Sequence, residues 1–112
     1  MSDPLLKPAP AVLVLNQVRT TESPFYDIIL LDDDYHSYDY VIEMLNAIFG
    51  HSSTTAFEMA CEVDKAGFVV VGTTHKQEAA EKRRAIESYG PDWRMKESEG
   101  SMSAFIEPTG KL

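Results

Sequence analysis

Apolar positions fall along this chain partly as short unbroken runs and partly as stripes spaced at three and four. Residues 25 to 31, ending Ile28-Ile29-Leu30-Leu31, are aliphatic and β-branched, which predicts a buried strand. Three acids, Asp32, Asp33 and Asp34, stop it. Tyr38, Val41, Ile42, Leu45, Ile48 and Phe49 then recur at three and four, the stripe of an amphipathic helix that Gly50 ends. Ser52 is a good N-cap for a second helix, with Ala56, Met59, Ala60 and Val63 inward and Gly67 as its stop. Phe68-Val69-Val70-Val71 reads as a second strand closed by Gly72. Thr74 and Gln77 have capping-box spacing, which predicts a third helix to about Tyr89, with Glu78 and Lys82 as a supporting i,i+4 pair. Residues 91 to 101 read as loop and residues 102 to 107 as a last strand.

The order β-α-α-β-α-β predicts an α+β sandwich, a three-stranded antiparallel sheet with three helices covering one face. Residues 1 to 24 read differently. Pro4, Pro8, Pro10 and Pro24 punctuate them, so they are expected to be a flexible extension, and residues 109 to 112 a short tail. The exception is Val12-Leu13-Val14-Leu15, too short to fold alone but able to pair as an edge strand or dock on a partner.

Length and charge narrow the function. A chain of 112 residues suits one domain. A net charge of -8 argues against nucleic acid, which needs clustered Lys and Arg. No apolar run approaches the ~20 residues that span a bilayer, and the first residues lack the basic and apolar regions of a secretory signal. The expectation is a soluble cytosolic domain. Cys61, the single cysteine, can make neither an internal disulfide nor a thiolate zinc site by itself. Charge is also uneven. Between Thr20 and Asp64 there is no Lys or Arg, while ten acids stand there, an acidic pole that favours cationic ligands.

Four stretches together resemble the Clp protease adaptor family ClpS. They are the strand and acidic turn from Tyr26 through Asp32-Asp33-Asp34-Tyr35; Tyr40-Val41-Ile42-Glu43-Met44-Leu45 with Ile48-Phe49; Glu62-Val63 with Gly67 and Val71-Gly72; and the closing Phe105-Ile106-Glu107-Pro108. The resemblance implies a non-enzymatic adaptor, without cofactor or metal, that presents N-degron substrates to a Clp AAA+ unfoldase through that unfoldase's N-terminal domain. In the family the substrate's free α-amino group is held by an Asn and an Asp of the acidic turn and a His of the second helix. A bulky first side chain fills an apolar pocket alongside. Here the Asn position is Asp32, the acids are Asp33 and Asp34, and the His position is Asp64. Two pocket methionines of the family correspond to Tyr38 and Ala60, and Val41 and Val63 match the remaining lining. The family also contacts its unfoldase through an acid and a base at the start of the third helix, for which Glu78 and Arg83, or Gln77 and Lys82, are the candidates. Its N-terminal extension helps engage the unfoldase.

Three carboxylates around an ammonium fit its three donors and its charge. That chemistry leaves open large aromatic, aliphatic or basic first residues. Two other readings stand beside it: a degenerate member that binds the unfoldase without degrons, and a divalent-cation module built on the acidic turn. A phospho-receiver domain would need five strand–helix units, and the chain is too short for them. None of His36, His51 and His75 is read as catalytic.

Overall fold

The computed structural model describes residues 24–110. Apart from Pro24, the expected extension and its run at residues 12–15 lie outside the described residues, as do residues 111 and 112 of the tail. The elements follow the order β1 (Phe25–Leu31), α1 (Tyr38–Phe49), α2 (Ser53–Ala66), β2 (Phe68–His75), α3 (Lys76–Glu87) and β3 (Ala104–Pro108). The strands form one antiparallel sheet in the order β2-β1-β3, with β1 in the centre.

Alternation along the strands sends one set of side chains to the helices. Ile28 and Leu30 of β1 and Val71 of β2 are fully buried with Met44 and Leu45 of α1, Ala60 and Val63 of α2, and Ile86 of α3. Each large aliphatic side chain in that set contributes about 1.5–3 kcal/mol through its burial. Helix ends follow local chemistry. The Ser37 hydroxyl accepts from the Tyr40 N–H at the start of α1, and the Ser52 hydroxyl from the Thr55 N–H at the start of α2. Gly50 and Gly67 close those helices at φ 73° and 91°, left-handed conformations that side chains resist. The cap of α1 is thus Ser37 and not a residue of the acidic turn.

Four further boundaries differ from the expectation. Strand β2 does not close at Gly72 but runs to His75, because a bulge between Ile28 and Ile29 absorbs one extra residue of β2. A Cβ at Gly72 would lie 2.8 Å from Phe49, so glycine is needed there for close packing. The Thr74–Gln77 capping box does not form. His75 is the N-cap of α3 without a side-chain bond, and the Thr74 hydroxyl donates to Glu78 instead. That helix ends at Glu87, and β3 begins at Ala104. The expected Glu78–Lys82 pair is also replaced, since the Lys82 ammonium donates to the Ile48 carbonyl at 2.8 Å and ties α3 to α1. In α1 the buried face is Tyr40, Val41, Met44 and Leu45, while Tyr38 is exposed and Ile42, Ile48 and Phe49 are half-buried.

Candidate functional site

The acidic turn follows β1 directly and is pinned on both sides by backbone. Asp32 N–H donates to the Gly67 carbonyl at the end of α2, and Leu31 N–H to the Ser103 carbonyl ahead of β3, each at 3.0 Å. The first bond sets Asp32 beside the C-terminus of α2, where Asp64 stands. Desolvation raises the Asp32 pKa above the ordinary carboxylate value, a hydrogen bond from the Asp33 backbone opposes it, and the negative charges of Asp64, Asp33 and Asp34 raise it further. Four acids therefore share one electrostatic neighbourhood.

The individual carboxylates are not equivalent. Asp33 is held by its own turn: Oδ1 accepts from the Tyr35 N–H at 2.9 Å, and both oxygens face His36 Nδ1 at 2.8 and 3.0 Å. On the other side of that ring, His36 Nε2 lies 2.7 Å from the Gly100 carbonyl. The two ring nitrogens face an oxygen acceptor on each side, a carboxylate at Nδ1 and a backbone carbonyl at Nε2. His36 thus fastens the acidic turn to the loop before β3, a positioning role. Asp64 is exposed and accepts the Tyr38 hydroxyl proton at 2.6 Å, a bond that joins α1 to α2. That hydrogen bond, with some desolvation and the nearby negative charge, pushes the Tyr38 phenol up to about 12. The Tyr38 ring also lies 5.9 Å from the ring of Phe57. Asp34 is exposed at the tip of the turn.

Val41, Ala60 and Val63 belong to the buried core between α1 and α2. Helical spacing puts Tyr38 on the face of Val41, and Asp64 on the face of Ala60. The Tyr38–Asp64 bond therefore spans the two helices at the acidic end of that seam. On its other side, Asp33 and His36 help line a polar recess of about 760 Å³ with Tyr35, Lys96, Glu97 and Glu99.

The candidate partner-contact residues separate. Glu78 and Lys82 line one recess of about 690 Å³ with Gln77, Ile48 and Glu81. Arg83 turns the opposite way, donating from Nε to the Ala104 carbonyl of β3 and pairing with Glu87.

One residue was not anticipated. Asp92 is only 1% exposed and accepts from the Ser37 N–H and hydroxyl, both at 2.7 Å, and from the Arg94 N–H and guanidinium. Burial alone would raise its pKa, but those four donors outweigh it and hold it down at about 2. Arg94 reaches on to Glu43 of α1. The loop before β3 is thereby locked to the start of α1. The local signal was an Asp whose carboxylate serves the N–H two residues on, but the Ser37 partner, 55 residues away, leaves no mark in the sequence.

Among the described residues, no group of three or more His, Cys, Asp or Glu side chains is arranged to hold a metal ion. No helix among them is long and apolar enough to cross a membrane.

Comparison with known proteins decides the family. Residues 21–92 match the family model described as ATP-dependent Clp protease adaptor protein ClpS. The chain belongs to the ClpS family. Among curated ClpS relatives, the ATP-dependent Clp protease adapter protein ClpS of Ruegeria pomeroyi is 39% identical over 62 residues, 55% of each chain. That of Ruegeria sp. TM1040 is 33% identical over 78 residues, 70% of this chain and 69% of the relative. The chain thus spans little more than half the length of the first relative. The fold agrees as well. Agrobacterium tumefaciens ClpS2, solved bound to L-phenylalaninamide, superposes with a TM-score of 0.66 at 26% identity, covering 76% of this chain and 96% of that one. The acidic turn, α1 and α2 fall inside the matched ClpS region, whereas β3, with its Phe105-Ile106-Glu107-Pro108, lies beyond it.

Proposed function

We propose that this ClpS-family chain is a cytoplasmic, non-enzymatic adaptor. It grips the free α-amino group and bulky first side chain of an N-degron and delivers that polypeptide to a Clp AAA+ unfoldase. The observation that carries the reading is the shared field of Asp32, Asp33, Asp34 and Asp64 at the end of the α1–α2 seam. An ammonium placed there relieves the repulsion that raises Asp32, and supplies donors that the carboxylates lack among themselves. L-phenylalaninamide, the ligand of the A. tumefaciens ClpS2 structure, carries such an ammonium next to a benzyl group. In this chain Tyr38, Val41, Ala60 and Val63 would receive the side chain. Tyr38 would have to swing off Asp64 to open the seam. Gln77, Glu78 and Lys82, gathered around one recess, are the surface proposed for the unfoldase's N-terminal domain, in preference to Arg83.

The test is titration of the full chain with L-phenylalaninamide and with its N-acetylated form, followed by NMR. Saturable shifts at Asp32, Tyr38 and Asp64 with the free amine alone support the reading. Equal binding of the acetylated form overturns it. The buried state of Val41, Ala60 and Val63 favours one rival, a member that keeps the unfoldase contact and has lost degrons. Binding to an unfoldase N-terminal domain without any response to the amide would establish that rival.

A further inference from the structure

Helices cover one face of the sheet, and the other face is divided by polarity. Toward the start of β1 it is polar: Thr73 and Thr109 hydroxyls both donate to Asp27, and Glu107 stands opposite Asp27 in the register. Toward the end of β1 it is apolar. Ile29 and Leu31 pair with Val70 and Phe68 of β2, and Ile29 with Phe105 of β3. Phe68, Val70 and Phe105 remain 54%, 40% and 40% exposed. Ile29, Leu31, Ala66, Gly67, Phe68, Phe105 and Glu107 line a groove of about 330 Å³. An apolar face of this kind marks a contact surface.

We propose that residues 12–15 of this same chain dock in that groove, running antiparallel to β1 across the face the helices leave open. This inference is independent of degron binding. Outside the described residues, only residues 11–15 offer more than two consecutive apolar side chains, Ala11-Val12-Leu13-Val14-Leu15. The reach is sufficient. Residues 16–24 join that run to Phe25 and span up to about 30 Å when extended. Ile29 and Leu31 lie only about 13–20 Å along the strand from Phe25. The order of polarity also matches. Reading back from Phe25, the chain is polar from Ser23 to Asn16, Val18 excepted, and then apolar from Leu15. The sheet face likewise passes from Asp27, Thr73 and Glu107 to Ile29, Leu31 and Phe68. Arg19 is the one base in residues 16–24, and this path carries it over the Asp27 and Glu107 carboxylates.

The experiment compares the full chain with its Leu13→Asp/Leu15→Asp variant, whose folded core is unaltered. Methyl and aromatic NMR shifts of Ile29, Leu31, Phe68 and Phe105, and fluorescence of the dye 1-anilinonaphthalene-8-sulfonate, report the groove. The proposal expects those shifts to move while helix resonances stay fixed, and dye fluorescence to rise severalfold. A reciprocal Phe105→Lys variant should shift the resonances of residues 12–15. Identical groove spectra and dye binding in the full chain and the double variant overturn the proposal. Groove shifts that vanish on dilution overturn it too, since they assign the face to a second copy.

Discussion

Tyr38 and Asp92 show how a hydrogen bond to a carboxylate shifts its donor and its acceptor in opposite directions. The Tyr38 phenol donates to Asp64, which stabilises its protonated form, and its pKa rises from 10.0 to about 12. A raised folded value means that this bond supports the fold below pH ~10 and is lost as pH climbs toward ~12. Carbon-13 NMR of the phenolic carbon should therefore show Tyr38 titrating well above an ordinary tyrosine, and Asp64→Asn should bring it back down. An unchanged Tyr38 titration in Asp64→Asn would show that the bond is not formed in solution. Asp92 is the reverse case. Its donors favour the charged form, so its contribution is complete above the ordinary value of 3.8 and disappears as pH falls toward about 2. Asp92→Ala leaves the Ser37 N–H without its acceptor and the Arg94 guanidinium with Glu43 alone, and should cost about 3 kcal/mol in urea unfolding at neutral pH. The gap between Asp92→Asn and the natural chain should narrow steadily between pH 4 and 2. A gap independent of pH would mean that charge at Asp92 contributes nothing.

At the scale of elements, packing decided what local signals left open. Gly72 is the informative case, because a glycine after an unbroken apolar run reads as a stop, yet β2 continues through it. The reason is the Phe49 ring, stacked on His51 and closing against the bare Cα of Gly72. Gly72→Ala should cost about 1–3 kcal/mol by overpacking, and adding Phe49→Ala should shrink the penalty of that substitution. Additive losses in chemical denaturation would contradict the contact. Features whose cause is local were legible: Gly50 and Gly67 stop helices by backbone conformation, Ser52 caps one, and the aliphatic, β-branched run ending at Leu31 is the central strand. The Thr74–Gln77 box failed because a competing partner, Glu78, takes the hydroxyl. For the candidate site, the acidic turn was visible in residue order, and Asp64 was pointed to by the family resemblance. The Tyr38–Asp64 bond, the His36 clasp on Gly100 and the Asp92 lock could not, since each joins segments 26 to 64 residues apart and depends on the folded path between them.

The whole molecule concentrates its negative charge where the proposed ligand's ammonium would sit. The stretch without Lys or Arg, from Thr20 to Asp64, contains the acidic turn, α1 and nearly all of α2, whereas the bases of α3 supply the Lys82 anchor to Ile48 and the Arg83 link to β3. That separation has a measurable consequence for binding of a free amine. Solvent-exposed charges attract through a field that salt screens, with a Debye length near 10 Å at 0.1 M. Affinity for L-phenylalaninamide should accordingly fall as sodium chloride is raised. Proton competition acts at the same place. Because the Asp32 pKa is raised by desolvation and by its neighbours, protonation begins at a higher pH than for an isolated aspartate, and each proton taken up removes a charge that the ammonium needs. Binding measured from pH 7.5 to pH 4.5 should weaken earlier than ordinary aspartate titration would dictate. Asp32→Asn should flatten that early part of the profile and lower affinity at neutral pH. Salt-independent affinity together with a flat pH profile would place the ligand away from the four acids, and would leave Asp64 as a helix link and nothing more.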